Sequence, residues 1–354
     1  MRRAAALALG ALLLGTSIAA RADDRLELHH TVALSIEYDS NVFDAFNHPR
    51  EDFLSRLFYE FQLGFTPTPA HLLTLDAQLG AKKYLDVARQ DTLVDMAHLG
   101  YAYRGLPDTL LGADVEGKLR NVRDSRQDFW KAVGDLYAER WFAHQFRGRV
   151  QAETAWFDAL RYAYLNYWYQ RYGLALGKGF GSAVSLELHY NFENKLFPIH
   201  AYTNLGTRKA ALLQESGRRR VDDLHEVGLE VAVTRWVLAS AAYAFQVDRS
   251  NSYGDSYTNH KLTVAVSKAI VDPLALHVLF ILQIRKAIDP VLIPTTLQTE
   301  ETDENLSQLT GKLTYRIKDW VSLELKYSRY WSQYLGEDVN FVKDQVSLGS
   351  TFQF

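Results

Sequence analysis

The sequence predicts an all-β chain that forms a single transmembrane antiparallel β-barrel of about 16 strands, with short periplasmic turns and long extracellular loops. Three observations predict this class: an export signal, a two-residue hydrophobic alternation along most of the chain, and connections that alternate between short and long. A bundle of membrane helices is excluded, because no segment after the export signal holds the roughly 18 consecutive apolar residues that such a helix needs.

The first 22 residues have the pattern of a secretory signal peptide. Arg2 and Arg3 precede an apolar run over residues 4–15, and the small-residue triplet Ala20-Arg21-Ala22 follows. We expect cleavage after residue 22, which leaves 23–354 as the barrel. The apolar run is too short to span a bilayer.

Composition excludes several classes of function. The formal net charge is -3 at pH 7, so the chain has no bulk affinity for nucleic acid. It contains no cysteine, which excludes disulfides, thiolate metal sites and a cysteine nucleophile. The stretch GKGFG at 177–181 lacks the Lys-Ser/Thr pair of a phosphate-binding loop and indicates a hairpin. We therefore expect no cofactor and no metal centre.

The strands are predicted from a period of two. In the last segment, DQVSLGSTFQF, Val346, Leu348, Phe352 and Phe354 alternate with polar or small residues, so one face is apolar and the other is wet. Similar apolar faces occur, in order, at 26–38, 57–65, 73–79, 99–103, 111–119, 184–192, 227–233, 241–247, 262–266, 274–282, 309–317 and 321–327, with weaker alternation at 128–139 and 165–177.

The connections between these strands fall into two groups. Short ones are predicted at 67–71, 105–108, 141–144, 178–182, 236, 270–273 and 318–320, and longer, more polar ones at 39–52, 121–126, 194–220, 249–258, 287–305 and 332–340. A soluble sandwich has no reason to place its tight turns at every second connection, whereas an outer-membrane barrel does.

Proline and tryptophan positions fit this arrangement. All eight prolines are predicted to lie in connections, because a strand paired on both sides cannot accept one. All seven tryptophans fall near predicted strand ends, where indole rings would form two girdles at the lipid headgroups. We assign Trp141, Trp236 and Trp320 to the short-turn end, and Trp130, Trp156, Trp168 and Trp331 to the long-loop end.

The final strand with Phe352 and terminal Phe354 resembles the assembly signal of bacterial outer-membrane β-barrels. That resemblance implies an integral protein of the Gram-negative outer membrane that contacts lipid and lipopolysaccharide and is inserted by the barrel-assembly machinery. The segment EYDSNVF, residues 37–43, is similar to one found in β-barrel porins associated with exopolysaccharide export. This second resemblance implies a polysaccharide channel served by a periplasmic export protein.

If the apolar face meets lipid, the opposite face lines the lumen. Charges of both signs at inward positions would be very costly in a dry core, so we expect an aqueous bore. The pore-lining candidates are Arg56, Glu60, Arg120, Arg147, Arg149, Glu187, Glu226, Glu230, Lys312 and Arg316. Arg120, Arg147 and Arg149 form a basic group, and Glu187, Glu193, Asp222, Glu226 and Glu230 form an acidic one. They either face each other across the bore or pair along neighbouring strands.

Three local features leave alternatives open. The aromatic run at 161–173 is either a sugar-stacking track or an interfacial belt, and RKAALLQESG at 208–217 is either a short helix across the lumen or part of an exposed loop. Asp39, Asn41 and Asp44 offer oxygen ligands for calcium, although their spacing does not match a known calcium loop.

The function predicted is passive passage of hydrophilic material, with polysaccharide export first. A general or sugar-selective small-solute porin is the alternative, followed by a structural or adhesive barrel that presents its loops. An enzyme is not expected, because no nucleophile-elbow sequence is present. The closest approach to one is His189 beside Glu187, or His277 with Ser267.

Overall fold

The chain forms one closed barrel of sixteen antiparallel strands in a computed structural model that describes residues 25–45, 47–124, 127–207, 212–289, 306–332 and 340–354. Each strand pairs with its neighbours in sequence, and β1 pairs with β16 to close the barrel. The predicted fold class is confirmed. The predicted signal peptide lies outside the described residues.

The strands are 11 to 22 residues long. Their bounds are β1 Leu26–Asp39, β2 Asp52–Thr68, β3 His71–Tyr84, β4 Thr92–Leu106, β5 Thr109–Val122, β6 Phe129–Phe142, β7 Phe146–Ala159, β8 Tyr167–Phe180, β9 Val184–Asn204, β10 Leu213–Thr234, β11 Leu238–Ser250, β12 Tyr257–Val271, β13 Leu274–Ala287, β14 Ser307–Lys318, β15 Val321–Trp331 and β16 Val342–Gln353. The weakly alternating segments at 128–139 and 165–177 are therefore strands too.

The connections alternate in length without exception among the described strands. The short ones are 69–70, 107–108, 143–145, 181–183, 235–237, 272–273 and 319–320, and the long ones are 40–51, 85–91, 123–128, 160–166, 205–212, 251–256, 288–306 and 332–341. By analogy with other barrels, the short-turn end is periplasmic and the long-loop end extracellular. No described helix has the length and apolar character to cross a membrane.

The alternation of side chains gives the barrel an oily outside. Leu34 pairs with Leu57 and Leu28 with Leu63 across the β1–β2 ladder. Large apolar side chains on this face stand out into the surroundings, among them Ile36, 67% exposed, and Leu176, 66% exposed. The other face turns inward and carries the buried polar side chains, because a closed barrel has only these two faces.

The region predicted as a long loop at 194–220 is mostly strand, and that prediction is wrong. β9 and β10 continue as a two-stranded ribbon past Leu196 and Asp222, where their pairing with β8 and β11 stops. Leu213 to Gly217 belong to β10, so neither the helix nor the loop alternative for 208–217 describes that part of it. Residues 208–211 lie outside the described part of the chain.

The prediction that all prolines lie in connections fails at two positions. Pro198 lies within β9, and Pro67 lies next to the end of β2, so these two prolines are not in connections. Pro198 comes after β9 has lost its β8 neighbour, and Pro67 lies at a register shift between β2 and β3. Neither position needs a ladder N–H, which is the condition under which a strand accepts proline.

Candidate functional site

The inner wall of the barrel is the candidate functional site. Following the register from strand to strand places all ten predicted pore-lining residues on the face opposite the exposed apolar one; for example, Arg56 pairs with Lys82, Glu187 with Glu230, and Lys312 with Lys326. A closed barrel with an apolar outside satisfies every backbone group within the bilayer. This chain is an integral outer-membrane β-barrel.

The segment EYDSNVF forms the extracellular end of the seam between β1 and β16. Asp39 is fully buried, and its carboxylate lies 3.2 Å from the Lys343 ammonium and accepts a 2.8 Å hydrogen bond from Gln345. Asn41, 1% exposed, donates to the carbonyl of Val342 at 3.1 Å. These contacts tie the first strand to the last.

The same segment seats the first extracellular loop against the inner wall. Val42 packs with Leu54 of β2, Tyr84 of β3 and Val87, and all four side chains are buried. Glu37, 4% exposed, accepts hydrogen bonds of 2.9 Å from Arg56. The EYDSNVF segment thus covers part of the inner wall at the long-loop end and fixes the loop there.

A second apolar cluster lies on another part of the inner wall. Phe129 and Phe157 are buried on the inner wall, and Tyr162, Leu165 and Tyr167 from the following connection and β8 pack against them. The Phe157 and Tyr167 rings stack at 4.8 Å with an interplanar angle of 9°. The buried rings of Phe129 and Phe157 thus form a packed apolar cluster on the inner wall near the long loops.

Cations lie over aromatic rings at this end of the barrel. The Lys195 ammonium is 4.6 Å from the Tyr167 ring centre, and the Arg220 guanidinium is 4.2 Å from that of Phe197. Arg220 also lies 3.0 Å from Asp255 of the neighbouring loop. Burial raises the pKa of Asp255, and the Arg220 charge opposes that rise.

The side chains of the aromatic run at 161–173 are divided between the inner wall and the lipid face. Tyr167 and Tyr169 pair with Phe157 and Lys195 and lie on the inner wall. Trp168 and Tyr172 alternate with them and lie on the lipid face. Neither alternative, taken for the whole run, describes it.

One pair joins the predicted basic and acidic groups along neighbouring strands. Arg147 on β7 bonds to Glu187 on β9 and lies 3.7 Å from Glu139 on β6. A glycine, Gly177, stands between them on β8, so the arginine passes over bare backbone to reach its partner. Strands two apart in sequence come close on the concave inner wall, so Arg147 reaches Glu187 across β8.

A different separation of charge runs around the bore. On β9–β11 the inward acids outnumber the cations Lys195 and Arg220 on the same strands. These acids are Glu187, Glu193, Asp222, Glu226, Glu230 and Asp248. On strands β12–β16, all of whose residues are described, the inward cations are Lys261, Arg285, Lys312, Arg316, Lys326 and Lys343, and Glu324 is the only inward acid. An acidic sector therefore adjoins a basic one.

Arg171 is a central residue of the wall that the sequence prediction missed. It donates to Glu193 at 2.6 Å and lies 3.4 Å from Glu153, so it bridges β7, β8 and β9. It falls in a segment whose alternation was weak. Strand alternation places Tyr167, Tyr169 and Arg171 on the same face, so it would have predicted an inward Arg171.

Most predicted girdle tryptophans lie where the girdle requires. Trp130, Trp156, Trp168 and Trp331 alternate onto the lipid face near the long loops, and Trp236 and Trp320 lie at short turns. Trp141 is the correction: it pairs with Arg147 and thus falls on the inner side of β6. Its position next to a short turn predicted which end of the barrel it lies at. That position did not determine whether its side chain points to the lipid or to the bore.

Four histidine–tyrosine pairs add to the lipid-facing belts. In each pair the histidine shares a hydrogen bond of 2.8 to 2.9 Å, through Nδ1, with a tyrosine hydroxyl on an adjacent strand. The pairs are His30 with Tyr59, His71 with Tyr101, His225 with Tyr190 and His260 with Tyr243. Each histidine also lies directly opposite a second aromatic residue: Phe61, Tyr103, Phe192 or Phe245. We call each set an interfacial triad.

A lysine ammonium occupies the place proposed for calcium at Asp39, Asn41 and Asp44. The Lys343 ammonium lies 3.2 Å from Asp39 and 3.1 Å from Asp44, between two of the oxygen ligands considered. The third, Asn41, uses its amide oxygen on the backbone N–H of Ala45. Among the residues that the structure describes, no group of three or more metal-binding side chains is assembled.

One of the two enzyme constellations is present in part. His277 and Ser267 share a 2.9 Å hydrogen bond on the inner wall. The residue directly opposite His277 on β14 is Lys312, and within the described ranges no carboxylate bonds to the imidazole. A third group that orients the base is what nucleophilic catalysis requires, so the pair does not amount to a triad.

The barrel is similar in fold to several solved structures. A bacterial polysaccharide outer membrane secretin is 10% identical, with 91% of this chain and 98% of that chain covered and a TM-score of 0.46. OmpT of Vibrio cholerae in its trimer form is 9% identical over 93% and 99%, and OpdK of Pseudomonas aeruginosa with vanillate is 11% identical over 93% and 98%, both with a TM-score of 0.46. No protein-family model and no curated protein matches the chain.

Proposed function

We propose that the chain is an outer-membrane channel for passive passage of hydrophilic material. The observation that carries the proposal is the inner wall, where carboxylates and cations line a closed barrel of sixteen strands. Charged side chains need water or partners, and a barrel of this size has room for an aqueous bore.

Polysaccharide export is the specific form of the proposal. Two features support it: the partly exposed rings of Tyr167 and Phe197 with the cations over them, and the EYDSNVF segment packed against the inner wall. Aromatic faces flanked by polar groups suit sugar rings, which have both apolar faces and hydroxyls. A periplasmic export protein would deliver the polymer to the short-turn end.

Planar-bilayer conductance of the refolded chain tests this proposal. We expect a steady open-channel current that neutral or acidic polysaccharide, added to the short-turn side, blocks at a concentration that monosaccharides do not match. A current indifferent to polymer would replace export with a general small-solute porin. No current from a correctly folded barrel would reject the channel itself and favour a structural barrel that presents its loops.

A further inference from the structure

A recess of about 260 Å³ opens in the inner wall between β7 and β10. Arg149, Gln151, Glu187, Asn191 and Glu230 lie around it, and β8 forms its floor. The inward positions of β8 at this level are Gly173, Ala175 and Gly177, so the floor has almost no side chains.

The glycines let polar side chains lie flat along the floor. A Cβ atom at Gly173 would lie 2.6 Å from Gln151 Cγ and 2.7 Å from Asn191 Oδ1, closer than real Cβ contacts. At Gly228 on β10, a Cβ would lie 2.3 Å from the His189 ring. The absence of these methyl groups makes the recess and sets the position of its polar rim.

Some polar side chains at the rim bond to neighbouring residues, and others have no partner among the described residues. Asn191 donates to Glu226 at 2.9 Å, and Arg149 lies over the Tyr137 ring at 4.3 Å. Within the described residues, neither Gln151 nor Glu230 has a hydrogen-bond or ion-pair partner. A carboxylate and a carboxamide at the rim of the recess are thus available to a ligand.

We propose that this recess binds one ring of a neutral sugar as it passes along the wall. Sugar hydroxyls both donate and accept, which matches the acceptors Glu230 and Glu187 and the donors Gln151 and Arg149. Arg147 pairs with Glu187, and Arg149 lies 3.9 Å from Asp135, so Glu230 is the rim charge that no described residue of opposite sign pairs with. Its carboxylate disfavours a uronic acid, which distinguishes a neutral sugar from an acidic one. The proposal rests on the proposed function, because only an open bore gives a sugar access from both sides.

Equilibrium binding to the folded protein tests the recess without relying on conduction. The probe is maltotetraose, compared with tetragalacturonate, titrated calorimetrically into protein in amine-oxide micelles, since glycoside detergents would compete. We expect Glu230→Gln and Gly173→Ala each to weaken maltotetraose binding about tenfold, the size of one hydrogen bond to a charged group. Glu116→Gln, which removes an inward carboxylate from β5 outside the recess, should change it less than about twofold.

The outcomes separate the recess from the channel. Unchanged affinity in both recess variants, absence of maltotetraose binding, or equally tight tetragalacturonate binding overturns the recess. If maltotetraose binding depends on Glu230 but the barrel shows no conductance, the channel proposal is rejected and the recess proposal is retained. Because Gly173→Ala crowds Gln151, the Glu230→Gln result decides if the glycine variant does not fold.

Discussion

At the scale of single residues, Asp39 shows why a polar loop motif can matter for assembly. Its buried carboxylate joins β1 to Lys343 and Gln345 on β16. The Ser40 amide donates to the Asp344 carbonyl at 3.0 Å beside it, so the seam is hydrogen-bonded up to its extracellular end. A buried charge held this way is costly to unpair.

We predict that Asp39→Ala lowers the free energy of unfolding by about 3 kcal/mol, because the Lys343 ammonium loses its buried carboxylate partner and Gln345 loses its acceptor in the seam. Urea unfolding of the barrel in lipid vesicles measures the change. The matched control is Glu51→Ala, an exposed carboxylate at the same rim that accepts a hydrogen bond from Tyr38, with an expected loss below about 1 kcal/mol. Equal losses in the two variants would contradict the seam argument.

At the scale of strands, the interfacial triads show how register assembles a repeated unit. In each one, a tyrosine and a second aromatic residue occupy positions i and i+2 of one strand, and a histidine of the next strand lies opposite the second. His30 and its triad adjoin the closing strand, because the His30 amide donates to the Phe354 carbonyl at 3.1 Å.

For the triads we predict that His30→Ala costs about 2 kcal/mol of stability, from the lost Tyr59 hydrogen bond and the lost contact with Phe61. His29→Ala provides the control one residue away on the inner face, with an expected change below about 0.5 kcal/mol. Unfolding of both variants under the same conditions measures the difference. A loss that is as large in the His29 variant would mean that the effect comes from the strand and not from the triad.

The sequence predicted what depends on alternation and missed what depends on register. Leu34 and Glu37 have opposite faces because a strand has a period of two, so the barrel, its lipid face and the inward charges were all predictable. The pairing of Arg147 with Glu187, the bridge made by Arg171 and the glycine floor of the recess require the alignment of three strands. The extent of β9 and β10 beyond the barrel was hidden because their outer halves are polar.

At the scale of the whole molecule, the distribution of charge around the bore determines which ions it favours. Most inward charges have partners of opposite sign, such as Lys312 with Glu324 at 3.5 Å. Lys261 differs: among the described residues no hydrogen bond or ion pair engages it. It lies on β12, where the acidic sector of β9–β11 meets the basic sector of β12–β16, so its charge acts on passing ions with little local compensation.

We predict that Lys261→Gln raises the cation-to-anion permeability ratio on the order of 1.5-fold, because an uncompensated cation disappears from the inner wall. The reversal potential of the channel in a salt gradient measures this ratio. Lys268→Gln is the matched control on the same strand: Lys268 points to the lipid side, where its ammonium lies 5.0 Å from the Trp236 ring, and its loss should leave the reversal potential unchanged. High salt should reduce the effect of the Lys261 substitution, since mobile ions screen the wall. An equal shift in both variants, or a shift toward anions, would contradict the assignment of Lys261 to the aqueous bore.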